Sequence, residues 1–312
     1  MLTTYKWTQG SGLSEGGPNL EPGMWINLCA PTDAELEKIL KRWDFPDEYL
    51  TDPLDKDERA RAEIDEDSST TLIVLRVPFH DESASIPYIT IPYGIILTPD
   101  AVITVCAHQT TLTDEFRQMR RLCPPYVRHR FVFNILLRAA IIYMRYLRQI
   151  REAAEEVERD LHNALKNESL ISLLDLQKSL VYFTTSLNAD EIMVSRLCNM
   201  RQLGVNEDDR DFLDDVAIEY RQAYEMASIH SNIWTGTMDS FASVISNNVN
   251  VVMKFLTSVT IVMTIPMLIS SIYGMNVALP FQHDPHAFLI TMGIGFGLAV
   301  IAVWIFIRKK YF

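Results

Sequence analysis

Residues 255–276 read FLTSVTIVMTIPMLISSIYGMN, and this stretch decides how the rest of the chain is to be read. Its first 19 residues, 255–273, carry no charge. As a helix they would extend roughly 28 Å at 1.5 Å per residue, close to the hydrocarbon thickness of a bilayer. A second uncharged run, AFLITMGIGFGLAVIAVWIFI at 287–307, would extend roughly 31 Å. Two such runs in tandem fit membrane spans better than the buried helices of an aqueous core. A plain anchor, however, has no use for an ending in Gly-Met-Asn.

Basic residues orient the pair. Lys254 precedes the first run and Arg308, Lys309 and Lys310 follow the second, while the loop at 274–286 holds no Lys or Arg. The positive-inside rule then places both termini in the cytoplasm and the short loop outside. Residues 251–312 hold those four cations against Asp284 alone, a net +3. The chain total is −12, so residues 1–250 carry −15. An acidic body argues against a nucleic-acid partner and suits the attraction of cations. Four scattered cysteines with no CxxC pair read as reduced thiols, and the N-terminus lacks the apolar segment of a signal peptide.

Within the first run, Thr257, Thr260, Thr264, Met267 and Ser271 recur at steps of three and four and share one helical face. Such hydroxyls either bond back to their own helix and its neighbours or line a wet path. Pro266 would remove one backbone hydrogen bond and could bend the helix.

From Tyr126 to Ile265 there is no proline, and glycine occurs only at 204 and 236. Ala140, Met144, Leu147, Ile150, Ala154, Val157, Leu161 and Ala164 keep a near-heptad spacing. Asn167-Glu168-Ser169 and Asn188-Ala189-Asp190 read as breaks or caps. The expected helices cover about 127–166, 169–203 and 207–273, the last roughly 100 Å long. Before them, MWINLC (24–29), TTLIVLRVPF (70–79), YITIPYGIILT (88–98) and AVITVCA (101–107) have strand composition. Thr32-Asp33-Ala34-Glu35 is a capping box that would start a helix. The N-terminal MLTTYKWTQGSGLSEGG reads as a flexible lead-in, and the charge run DPLDKDERARAEIDEDSS as solvated helix and loop.

The resulting fold class is α+β. An N-terminal cytoplasmic α/β domain (1–123) is followed by a helical hairpin (124–206) and a stalk helix (207–273) whose end is the first transmembrane segment. An outer loop (274–286), a second transmembrane helix (287–307) and a basic tail (308–312) complete it. No phosphate-cradling glycine loop, HExxH or GxSxG is present, so no catalytic residues, enzymatic activity or organic cofactor are expected.

Tyr273-Gly274-Met275-Asn276 at the end of a first span, with a second span close behind and a basic C-terminus, resembles the CorA family of divalent-cation transporters. Met253-Lys254-x-Leu256-Thr257-x-x-Thr260 and the early Trp25-Ile26-x-Leu28-x-x-Pro31-Thr32 resemble it too. The resemblance implies a homopentamer in the cell's inner membrane, with five first-span helices around a pore. Gly274, Met275 and Asn276 would form the selectivity filter at its outer mouth. Mg²⁺ dehydrates reluctantly, so five Asn276 amides could accept hydrogen bonds from its waters without holding it too tightly. The pore face would continue through Met267, Thr264, Thr260, Leu256 or Thr257, Met253 and Asn250. Met253 and Leu256 could form an apolar constriction that gates by dewetting.

The family also implies feedback by intracellular Mg²⁺ bound between subunits. Asp211, Asp215 and Glu219 share a helical face at i, i+4 and i+8. Asp215 matches a stalk position of that family and Asp239 a second one, with Asp81 or Glu82 as partners from the α/β domain. The loop departs from the family's Met-Pro-Glu signature. It reads NVALPFQHDPHAF, where Asp284, with His283 and His286, would attract cations instead. The histidines leave room for Zn²⁺, Co²⁺ or Ni²⁺, possible cargoes of a proton-coupled transporter, whereas Met275 favours the Mg²⁺ branch over the related ZntB branch. A third reading is a cytosolic sensor tethered by the hairpin.

Overall fold

A computed structural model describes residues 1–8, 12–81, 83–119, 123–163, 167–200, 206–277, 279–281, 284–309 and 311. The chain forms two compact units, Met1–Trp234 and Thr235–Phe312.

The first unit is built on a seven-stranded sheet. In chain order its strands are β1 (Leu2–Thr8), β2 (Gly12–Glu15), β3 (Trp25–Cys29), β4 (Arg61–Asp65), β5 (Thr70–His80), β6 (Tyr88–Leu97) and β7 (Val102–Cys106). Their spatial order is β2-β1-β3-β7-β6-β5-β4, and only the β3–β7 pair is parallel. All of β7 and nearly all of β6 are buried, which is why these strands read as unbroken apolar runs rather than alternating ones. One face packs on α1 (Asp33–Leu40) and the short α2 (Glu48–Thr51), through Ile39, Trp43, Phe45 and Leu50. The long α4 (Arg128–Asn163) and α5 (Asn167–Asn199) pack on β5 and β6, and α3 (Thr111–Gln118) packs on α4.

Trp25 is fully buried at the centre of an aromatic cluster. It stacks on Tyr5 at 4.7 Å between centroids and meets Phe116 and Phe131 edge-on. Its indole N–H donates to Thr104 Oγ1 at 2.9 Å, so the one polar atom of a large apolar side chain is satisfied.

Three expectations are corrected here. The supposed flexible lead-in contains β1 and β2. No apolar run announces them, because their order comes from backbone pairing: β1 pairs with both β2 and β3. Glu35, the acidic member of the capping box, also accepts the Leu2 N–H at 2.6 Å besides that of Thr32 at 2.9 Å. The charge run is not only helix and loop, for it holds β4, paired with β5. β4 is an edge strand, where charge discourages pairing with other chains. Arg61 on it engages Asp52 at 2.6 Å, Glu63 at 2.8 Å, and Glu58. Finally, Asn188-Ala189-Asp190 neither breaks nor caps a helix, because α5 runs through it.

The helix α6 (Glu207–Tyr273) contributes to both units. In the first, Leu213, Val216, Tyr220, Ala223 and Ala227 form its buried stripe. Of the heptad-like residues of α4, Ala140, Met144, Leu147, Ile150, Ala154 and Leu161 are buried and Val157 is half-buried, while Ala164 lies outside the described residues.

The second unit holds the rest of α6 and α7 (Ala287–Arg308). Both helices are long and apolar enough to cross a membrane, and their most apolar 18-residue windows are only 6% and 11% buried.

Candidate functional site

Within the second unit, α6 has two opposite faces. Pro266, Ile269 and Tyr273 lie on the face toward α7, and the buried Ser258 shares that side of α6 by its helical spacing. There Gly295 lets the helices approach: a Cβ at that position would stand 3.6 Å from Ile269 Cδ1 and 3.7 Å from the Pro266 Cα. Gly295 and Ala299, both buried, form the small-xxx-small spacing that permits such packing. Pro266 lies inside α6 without ending it.

At 3.6 residues per turn, Met253, Thr257, Thr260, Thr264, Met267 and Ser271 lie roughly 140–180° around the helix from that contact. Met253, Leu256 and Met267 are each more than half exposed, and Asn250, Thr257, Thr260 and Thr264 are exposed as well. The threonine hydroxyls bond back along their own helix. Thr257 donates to the Met253 carbonyl at 2.7 Å, Thr260 to Leu256 at 2.8 Å and Thr264 to Thr260 at 2.7 Å. With its hydrogen engaged, each hydroxyl presents only acceptor lone pairs outward. Back-bonding and lining of a wet path are therefore compatible.

The helix ends where the apolar run does. The Gly274 N–H donates to the Ser270 and Ser271 carbonyls at 3.0 and 3.2 Å, and the Met275 N–H to Ile272 at 3.2 Å. These bonds satisfy the carbonyls of Ser270, Ser271 and Ile272 and tighten the last turn of α6. Met275 and Asn276 are exposed just beyond. The Tyr273 hydroxyl donates to the Pro280 carbonyl at 3.1 Å, tying the start of the loop to its middle. Only the position of Tyr273, immediately before Gly274, hinted at that role. Asp284 is exposed and receives the His286 N–H on Oδ1 at 2.8 Å, so it also shapes the entry to α7. His283 and Lys310 lie outside the described residues.

The carboxylates expected to bind regulatory metal do not converge within one chain. Asp211, Asp215 and Asp239 are exposed, and no group of three or more His, Cys, Asp or Glu side chains able to hold a metal exists among the described residues. Asp81 is half-buried and holds the Ser83 hydroxyl and N–H on Oδ1 at 2.6 and 2.9 Å. The Ser83 hydroxyl first, then its N–H, keep the Asp81 carboxyl below the usual carboxylate range. Glu82 lies outside the described residues.

The model of the CorA-like Mg²⁺ transporter protein family matches residues 22–309, nearly the whole chain. The chain belongs to that family. Its members are ion transporters rather than enzymes, which places the chain in a membrane and sets the tethered-sensor reading aside. A cobalt/magnesium transport protein CorA from Methanocaldococcus jannaschii is 28% identical over 294 residues, covering 92% of this chain and 91% of that protein. The complete structure of the CorA magnesium transporter from the same organism superposes with a TM-score of 0.84 at 25% identity, covering 100% of this chain and 99% of that one. The full-length CmaX protein shares the fold alone, with a TM-score of 0.70 at 14% identity, over 99% of this chain and 97% of its own.

Proposed function

We propose that the chain forms a homopentameric Mg²⁺ channel, driven by the membrane potential, with Gly274, Met275 and Asn276 at its outer mouth. The observation that carries this reading is the exposed face of α6. It lies opposite the face packed on α7, presents acceptor-only hydroxyls and runs toward Asn276. A ring of such helices gives a hydrated divalent cation neutral oxygen acceptors along its route, which suits an ion that sheds its water reluctantly. Neutral ligands also release it again. The lipid bilayer surrounds the assembly, both termini are cytoplasmic, the membrane is the cell's inner membrane, and Asp284 helps draw cations to the mouth.

Regulation follows from the same assembly. Asp211, Asp215 and Asp239 are exposed and ungrouped in one chain, so a Mg²⁺ site there needs carboxylates from a neighbouring subunit. Bound ion offsets the repulsion of facing carboxylates and holds the ring closed; its loss loosens the ring. The archaeal relative is named for cobalt as well as magnesium, which makes Co²⁺ the second cargo to test.

The experiment is cation flux into proteoliposomes, with Mg²⁺, Co²⁺ or Zn²⁺ supplied outside and voltage and pH gradients set independently. Mg²⁺ entry should follow the voltage and ignore the pH gradient. Zn²⁺ entry that requires the proton gradient would replace this reading with proton-coupled transport.

A further inference from the structure

The seven-stranded sheet consists of two antiparallel arms joined at one parallel pair. β2, β1 and β3 form one arm, β7, β6, β5 and β4 the other, and they meet at β3–β7. The register there runs from Trp25↔Val102 to Cys29↔Cys106. Two of the chain's four cysteines therefore stand side by side, each the last residue of its strand. Side chains alternate along a strand, so in-register neighbours project from the same face. Two residues earlier on that face the side chains already touch, the Thr104 hydroxyl donating to Asn27 Oδ1 at 2.9 Å. The cysteines are the next step along the same row.

Both are free thiols. Cys106 is buried, and its Sγ donates to the Pro92 carbonyl of β6 at 3.3 Å. Cys29 is half-buried, which gives a small reagent access to one sulfur of the pair. Just beyond it the strand ends, Ala30 taking a left-handed φ of 41°. Paired strands lie about 4.8 Å apart, inside the roughly 4.4–6.8 Å of Cα separation that a disulfide spans. The Cβ atoms must close to about 3.8 Å, a shift that strand ends take more easily than strand centres. Burial pushes the Cys106 thiol up to about 12 and raises Cys29 as well, the latter resisted by the N-terminal ammonium and reinforced by Asp114. Neither sulfur is thus an aggressive nucleophile alone. What favours a link between them is proximity.

We propose that Cys29 and Cys106 are an oxidative modification site: a small-molecule disulfide converts them into a reversible cross-strand disulfide that staples the two arms of the sheet. Cys29 gives its proton to solvent, and its sulfur attacks one sulfur of the reagent. The reagent's S–S bond breaks, and the departing thiolate takes up a proton. Cys106 then loses its proton, attacks Cys29 Sγ in the mixed disulfide and releases the second small thiol. In all, two protein thiols give up two electrons and two protons, and the reagent is reduced to two thiols. With this unit in the cytoplasm, as proposed above, the pair stays reduced and the staple forms only under oxidative load.

The test uses the full-length protein and reads no flux, so a failure of the channel reading leaves it intact. Wild type, Cys29→Ser and Cys106→Ser are incubated with oxidised glutathione in mildly alkaline buffer. Intact mass, peptide maps and thermal unfolding are then recorded with and without dithiothreitol. Wild type should lose two hydrogens and yield a Cys29–Cys106 peptide pair. Because the link closes a long loop in the unfolded chain, its unfolding temperature should rise by at least about 5 °C and fall back on reduction. Cys106→Ser should stop at the glutathione adduct on Cys29, whereas Cys29→Ser should leave the buried Cys106 unmodified. Cys123 and Cys198, both half-buried free thiols, are the internal controls. A link to either of them or between chains, recovery of Cys29 and Cys106 unlinked, or an oxidised protein that unfolds no higher than the reduced one overturns the proposal. Should Cys106→Ser not fold, the wild-type map and Cys29→Ser decide.

Discussion

One helix passes through two regimes. Along its first stretch α6 buries Leu213, Val216, Tyr220, Ala223 and Ala227 against its own chain. Along its last it leaves Met253, Leu256, Met263 and Met267 more than half exposed. The apolar content does not fall between the two; it rises, and only the covering is missing. An exposed apolar surface of this extent is explained by lipid or by other copies of the chain. The first stretch belongs to a unit whose stability comes from its own core. The second can be changed on its exposed face with little cost to folding and a large cost to whatever that face does.

The contrast breaks most readily at the core of the first unit. Trp25→Ala removes a fully buried indole and leaves the Thr104 hydroxyl without its donor, so it should cost about 3–5 kcal/mol of unfolding free energy. A smaller loss, followed by circular dichroism in denaturant, would mean that the aromatic cluster is not the centre of the fold. Gly94→Ala is the next step down. An added Cβ would lie 2.8 Å from Pro53 Cβ and closer still to its Cγ, in a rigid ring that cannot swing aside. The expected cost is about 1–3 kcal/mol of overpacking, read as a lowered unfolding midpoint.

On the other side of the contrast stands Asn276→Ala. The side chain is exposed, so the unfolding midpoint should stay where it is. In the proposed ring a net hydrogen bond of ~1 kcal/mol is removed in every subunit, so flux of Mg²⁺ into proteoliposomes should nonetheless fall at least about tenfold. Undiminished flux would remove Asn276 from the conduction path.

What could be read from the residues followed the strength of the local pattern. The apolar runs of β5, β6 and β7 and the helical stretch after Pro125 were plain, because burial on both sides or along one stripe writes itself into composition. β1, β2 and β4 were not. Their order comes from backbone pairing across the sheet, and an edge strand that must stay polar looks like a loop. Asp190 misled for a related reason. In sequence it resembles a cap, but α5 runs through it and packs on β5, where its carboxyl accepts the Arg76 N–H at 2.9 Å. The face of Thr257, Thr260, Thr264, Met267 and Ser271 was legible from spacing, whereas Asn250, Met253 and Leu256 and the idea of a pore came from the family resemblance; a face becomes a pore only among several chains, which no single chain can display. The same holds for the carboxylates of α6.

Those carboxylates give the smallest effect in one chain and the sharpest test of assembly. Asp215→Ala alters an exposed residue, and its effect on unfolding should stay within about 0.5 kcal/mol. If Asp215 binds Mg²⁺ together with a neighbouring subunit, the same substitution should raise the internal Mg²⁺ concentration needed to shut off uptake. Glu219, one turn further along α6, should yield a weaker shift when changed to Gln, and the two together should exceed either alone because they would share an ion. Inhibition curves that coincide for wild type and both variants would place the regulatory ion elsewhere. Asp239 would then be the next carboxylate to change, since it is exposed too but lies in the second unit.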